Sequence, residues 1–136
     1  MSINYRIVGL MAFSFLALAP TKLLAPPATE IHVPGDYPTI HEAFDAARDG
    51  DKILVDPGVY QEYVRFNGKN VILASSSGPD VTTIQVNGGT AVDIGPRGAL
   101  LGFTITGGAA AFGGGMTVNG NGTIIARNIF DGNIQT

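Results

Sequence analysis

Residues 71–130 read VILASSSGPDVTTIQVNGGTAVDIGPRGALLGFTITGGAAAFGGGMTVNGNGTIIARNIF, and their spacing decides the fold. Three short triplets, Val71-Ile72-Leu73, Val92-Asp93-Ile94 and Met116-Thr117-Val118, begin 21 and 24 residues apart. A second series interleaves with them: Ile84-Gln85-Val86, Phe103-Thr104-Ile105 and Asn128-Ile129-Phe130, at spacings of 19 and 25. Two series sharing one period predict repeats of at least two strands, joined by Gly/Asn bends. A unit of that size cannot bury its own apolar face and must stack on the next. Stacking in parallel predicts inward columns: Leu73, Ile94 and Val118; Val71, Val92 and Met116; Val86, Ile105 and Phe130. Ile84 and Phe103 are followed in their column by Asn128, which reads as a structural ladder residue at a coil corner rather than a ligand.

Working outward toward the N-terminus, Ile31-His32-Val33 reads as a strand stopped by Pro34-Gly35. Thr39 and Glu42 match a capping box, and Ile40, Ala43, Phe44 and Ala47 share one helical face. Together they predict a short helix over 40–48, stopped by Gly50. Its place before the first coil suits a cap over the apolar end of a solenoid. Lys52 to Val55 reads as a strand, Asp56-Pro57-Gly58 as a turn, Val59 to Val64 as a second strand, and Asn67 to Asn70 as a turn. No break in composition from residue 30 onward marks a second domain, so 30–136 is one domain.

Composition narrows the function. Of 136 residues, 14% are charged and the net charge is −3 with no basic block, which argues against nucleic acid as a partner. There is no cysteine, which excludes disulfides and thiolate metal sites. His32 and His41 are the only histidines and lack zinc-ligand spacing, so neither a metal nor another cofactor is expected. Ile7 to Ala19 is an uncharged run of 13 residues, the length of a signal-peptide core and shorter than a bilayer span. Residues 1–28 therefore read as a signal peptide with cleavage after Ala28, or as an uncleaved membrane anchor. The protein is expected outside the cell or on its surface, touching a membrane only through that segment.

The stretch from Pro34-Gly35-Asp36-Tyr37-Pro38-Thr39-Ile40-His41-Glu42-Ala43-Phe44 through Gly50-Asp51 to Ile53-Leu54-Val55-Asp56-Pro57-Gly58-Val59-Tyr60-Gln61-Glu62 resembles the N-terminal cap and first coil of right-handed parallel β-helix proteins. This is the pectin lyase-like superfamily. Gly102-Phe103-Thr104-Ile105-Thr106-Gly107-Gly108 and Asn128-Ile129-Phe130-Asp131-Gly132-Asn133 resemble its coil repeats. The resemblance implies an all-β, right-handed parallel β-helix with a capping helix. It does not fix a chemistry, since such a cap opens esterases, lyases, hydrolases and inert scaffolds alike. In the enzymes the catalytic groups sit on central coils, whereas roughly three coils are expected here. The run breaks off mid-coil at Ile134-Gln135-Thr136 without a C-terminal cap, so the expectation is a piece of a longer protein, or an open end that a partner or self-association covers.

The candidate catalytic residues are Asp93, Arg97 and Asp131. Asp93 lies between Val92 and Ile94, so alternation points it outward, as one of a carboxylate pair or as a cation ligand; the plainer reading is a solvated residue beside Arg97. Asp131 points outward on the other strand series, in line with Asn87 and Thr106, and so does not share a face with Asp93. A hydrolytic pair wants two carboxylates about 5–10 Å apart, and none assembles. Arg65, Arg97 and Arg127 are candidate bases or oxyanion partners, although Arg97 in Gly95-Pro96-Arg97-Gly98 also fits an ordinary turn. Tyr60 and Tyr63 could stack on a sugar ring, with packing near the cap the plainer use. Gly113-Gly114-Gly115 lacks the Lys-Ser/Thr of a phosphate loop and reads as a flexible bend. Two functions remain open: a secreted β-helix that binds or, at full length, processes extracellular polysaccharide, or a non-enzymatic, adhesin-like surface scaffold. Outward positions rich in Thr, Gln and Asn argue against catalysis, and neither pectin cleavage nor de-esterification is expected of these residues.

Overall fold

The computed structural model describes residues 24–136, so the 13-residue apolar run lies outside the described residues. Strand β1 (Glu30–Val33) is followed by helix α1 (Ile40–Ala46), β2 (Lys52–Val55), β3 (Gly58–Tyr60), β4 (Val64–Arg65), β5 (Ile72–Ser75), β6 (Thr82–Gln85) and β7 (Val92–Ile94). Then come β8 (Ala99–Leu101), β9 (Thr104–Thr106), β10 (Ala109–Ala110), β11 (Met116–Val118), β12 (Ile124–Ala126), β13 (Ile129–Asp131) and β14 (Ile134–Gln135). These strands wind a parallel solenoid of about 4 turns. The three middle turns each visit a five-stranded sheet (β1-β2-β5-β8-β12), a four-stranded sheet (β3-β6-β9-β13) and a three-stranded sheet (β4-β7-β11), while α1 follows β1 in the first and β14 follows β13 in the last. A small fourth sheet pairs β10 with β14. Hydrogen bonds between neighbouring coils join residues 20 to 28 apart in sequence.

Stacking is as expected, but each of the four expected columns is altered: Val71 and Leu73 do not share a sheet with Val92, Ile94, Met116 and Val118, and Ile84 stacks on Ile105 rather than on Phe103. Val71-Ile72-Leu73 and Val92-Asp93-Ile94 occupy different sheets. Leu73 stacks on Ile53 and Leu100, with Ile125 beyond, whereas Val92 stacks on Val64 and Met116, and Ile94 on Val118. Similar triplets recur within one turn because all three sheets bury an inward side chain. The second series is shifted by two residues: Ile84, not Val86, pairs with Ile105, which pairs with Phe130. A shift of two preserves the inward face, so alternation could not detect it. The expected strand from Val59 to Val64 is two strands in two sheets, bent at 61–63.

The core is apolar, built of aliphatic side chains with Phe44, Phe66 and Phe103 among them. Ile53, Leu73, Leu100, Ile84, Ile105, Val92 and Ile94 are fully buried. In the last coil the same columns emerge into solvent: Phe130 is 45% and Ile125 38% exposed.

Helix α1 begins at Thr39, whose hydroxyl accepts the Glu42 N–H. The reciprocal Thr39 N–H to Glu42 bond of the predicted capping box is not formed among the described residues; instead the Glu62 carboxylate accepts from the next two N–H groups, of Ile40 and His41, at 3.2 and 2.7 Å. The helix ends at Ala46, earlier than expected, because Ala47 is already extended (ψ 146°). Gly50 (φ +93°) instead turns the chain into β2, its N–H bonded to the Asn70 carbonyl. The ammonium of Lys69 takes the carbonyls of Phe44, Asp45 and Ala47, satisfying the helix C-terminus from the next coil. Phe44 meets Phe66 edge to face at 4.7 Å, fastening the helix to the solenoid interior.

Candidate functional site

The three sequence candidates do not converge. Asp93 lies on β7 of the three-stranded sheet, in line with Arg65 and Thr117. Its carboxylate accepts from the Asn119 amide at 2.7 Å, in a shallow hollow shared with Asn67, Gly68, Gly95 and Pro96. Arg65 turns away and donates to the Thr90 carbonyl. Arg97 forms no ion pair with Asp93 among the described residues. It occupies a left-handed bend (φ +61°) with its N–H on the Asn121 carbonyl. Asp131 is exposed on β13 of the four-stranded sheet, in line with Thr106 and Gln85, so the expected alignment with Asn87 is corrected to Gln85. Asp93 and Asp131 thus stand on different faces, as the alternation implied.

Several residues that sequence reading flagged are structural. Asn128 accepts from the Phe103 N–H and donates to the Leu100 carbonyl. Asn133 does the same one bend later, with the Gly108 N–H and the Ile105 carbonyl. Each carboxamide clamps the backbone of the coil below, rather than bonding to a stacked copy of itself. Gly114 and Gly115 are buried, and a Cβ on Gly114 would strike the Gly108 and Ile134 carbonyls. The Gly run is therefore a place where three backbones close in, not simply a pliable bend.

Sequence reading missed the outward face of the five-stranded sheet. Leu54, Ala74 and Leu101 stand in register across three coils and floor a trough of about 520 Å³. Lys52 and Arg127 border it, and Ser75, Ser76 and Pro79 form one wall. Expecting outward Thr, Gln and Asn holds for the four-stranded sheet, with Thr83, Gln85, Thr104 and Thr106, but not for this one. The signal was available in Leu54 and Leu101, the polar-phase positions of their strands. Reading it needed the sheet assignment that the uneven coil length concealed. Lys52 is held by Glu30 at 2.9 Å, which draws the Glu30 carboxyl below its ordinary value. Arg127 is exposed, in a left-handed bend (φ +59°).

Among the described residues, no group of three His, Asp or Glu side chains could hold a metal ion, and no helix is long and apolar enough to cross a membrane. The chain matches no model of a known protein family and no curated protein.

Proposed function

We propose that this chain is an exported, right-handed parallel β-helix of the pectin lyase-like kind that binds extracellular polysaccharide without cleaving it. The observation that carries the reading is the trough on the five-stranded sheet. Its aliphatic floor crosses successive coils, and cationic and hydroxyl groups line its border. A polysaccharide offers that combination: C–H ring faces for the floor, hydroxyls or carboxylates for the rim. Right-handed winding accords with the strong preference of parallel strand crossovers. The placement of Asp93 and Asp131 on separate sheets supports binding over hydrolysis.

The test is retention of the purified full chain on immobilised neutral and uronate polysaccharides. Leu101→Asp, which places a charge in the floor, is expected to weaken retention about tenfold or more, and Arg127→Ala to weaken uronate retention selectively. Retention unchanged in both variants, or release of methanol or unsaturated sugar by the purified protein, overturns the reading. The second reading, a surface scaffold, is favoured by the same apolar floor, which would equally suit a protein partner. Retention on no polysaccharide would leave it in possession.

A further inference from the structure

A second concavity lies on another side of the solenoid, where the chain bends from the four-stranded into the three-stranded sheet. Gln61, Glu62, Tyr63, Gln85, Val86 and Asn87 line a groove of about 490 Å³. Two coils contribute to it, one with residues 61–63 and the next with residues 85–87. Tyr63 is 45% exposed, and a ring exposed to that extent on a small protein is a large apolar surface left in water. Its position is nonetheless held. The hydroxyl reaches the Asn87 carbonyl at 3.4 Å, the Arg65 guanidinium stands 5.5 Å from the ring centroid, and Gly89 leaves the room that a Cβ would take from the ring edge.

The carboxamides of Gln61, Gln85 and Asn87 make no hydrogen bond among the described residues, although all three face one groove. Four carboxamides elsewhere are tied down: those of Asn128 and Asn133 clamp bends, that of Asn119 holds Asp93, and that of Gln135 reaches the Ala111 carbonyl; those of Asn67, Asn70 and Asn121 are also unbonded among the described residues, but they do not gather in one groove as Gln61, Gln85 and Asn87 do. Each free carboxamide carries both donors and an acceptor, the complement of a hydroxyl, which is also both. The remaining wall is the Glu62 carboxylate, fixed by the two helix N–H groups and unable to swing away. A fixed anion there disfavours any acidic ligand.

We propose that this groove binds a neutral, hydroxyl-rich ring, a single sugar unit of a neutral saccharide. The ring's C–H face lies against Tyr63, and its hydroxyls bond to Gln61, Gln85 and Asn87. The site stands on a different bend from the trough and needs nothing from it.

The test is titration of the ¹⁵N-labelled full chain with a β-1,4-linked glucose hexamer and, separately, with a galacturonate hexamer, observed by NMR. The neutral hexamer is expected to shift the side-chain NH₂ signals of Gln61, Gln85 and Asn87. Tyr63→Ala is expected to weaken that binding about tenfold, and Gln85→Ala, at an exposed position that the fold does not use, to weaken it as well. Leu101→Asp is expected to leave it unchanged. The proposal is overturned if the neutral hexamer leaves the three amides unmoved. It is overturned equally if the galacturonate hexamer shifts them as strongly, or if Gln85→Ala and Tyr63→Ala bind with wild-type affinity. Failure of the trough reading shows instead as wild-type retention of Leu101→Asp and Arg127→Ala on the immobilised uronate polysaccharide, which this groove rejects, so the two outcomes are separable.

Discussion

At the scale of single residues, the same side chain has different worth according to its coil. Ile105 is fully buried between Ile84 and Phe130. Ile105→Ala is expected to lose about 2–5 kcal/mol of unfolding free energy, through lost apolar transfer plus the cavity left behind. Phe130 occupies the same column but is 45% exposed, so Phe130→Ala is expected to lose distinctly less, although the deleted group is larger. Urea unfolding of the two variants side by side checks this, and equal losses would contradict the burial order. Sequence reading found the column because Ile105 and Phe130 both stand at apolar positions of strand triplets. It placed Asp93 and Asp131 on separate strand series for the same reason, but did not recognise β8 and β12 as strands. It could not see that Asn128 and Asn133 are clamps, because their partners are main-chain atoms of another coil, on which sequence pattern is silent.

At the scale of elements, the N-terminal helix is held by groups that later segments reach back to provide. Glu62 supplies its first N–H groups with acceptors, Lys69 its last carbonyls with a donor, and Asp51 ties the flanking turns. The Asp51 carboxylate is buried, accepting from the Thr29 and Arg48 N–H groups at 2.8 Å each. Those two bonds, from Thr29 first and then Arg48, outweigh desolvation and hold its carboxyl below the ordinary value of 3.8. A carboxyl lowered on folding stabilises the fold fully above its unfolded value and loses that contribution as pH falls through the folded value. Asp51→Asn is therefore expected to cost about 1–3 kcal/mol at pH 7, since one N–H then faces an NH₂ rather than an acceptor. The gap from wild type is expected to narrow on acidification below about pH 4. Thermal melts of both proteins from pH 7 to pH 3 check it, and a gap that widens on acidification would reverse the sign. The helix was legible from Thr39, Glu42 and the Ile40/Ala43/Phe44 face. Its true end was not, since Ala47 leaves the helical region where propensity alone would continue. The sheet membership of β5 and β7 was also hidden. Coils of unequal length break the period, and the triplets of different sheets look alike.

At the scale of the whole molecule, a solenoid is a row of units, each stabilised by its neighbours, so stability need not be uniform along it. The helix-covered end buries Val33, Ile40, Phe44, Ile53 and Phe66 almost completely, while Ile124, Ile129 and Ile134 at the other end are 44–59% exposed. Backbone amides of β12, β13 and β14 are expected to exchange with deuterium well before those of β5, β6 and β8, with protection rising toward α1. Uniform protection in native-state exchange would show one cooperative unit instead. That the chain stacks parallel coils was legible from its recurrent apolar triplets and Gly/Asn bends. The three-sided cross-section and the apolar trough were not, because they depend on which bends turn and by how much.

The attachments of α1 also give the molecule a direction in time. Glu62 and Lys69 sit in the first full turn, so the helix becomes secure only once that turn has closed beneath it. Every subsequent rung then meets a completed parallel edge, with its hydrogen-bonding groups already aligned to receive the next strand. For a chain made from its N-terminus, the early-emerging part thus serves as the mould for the later rungs.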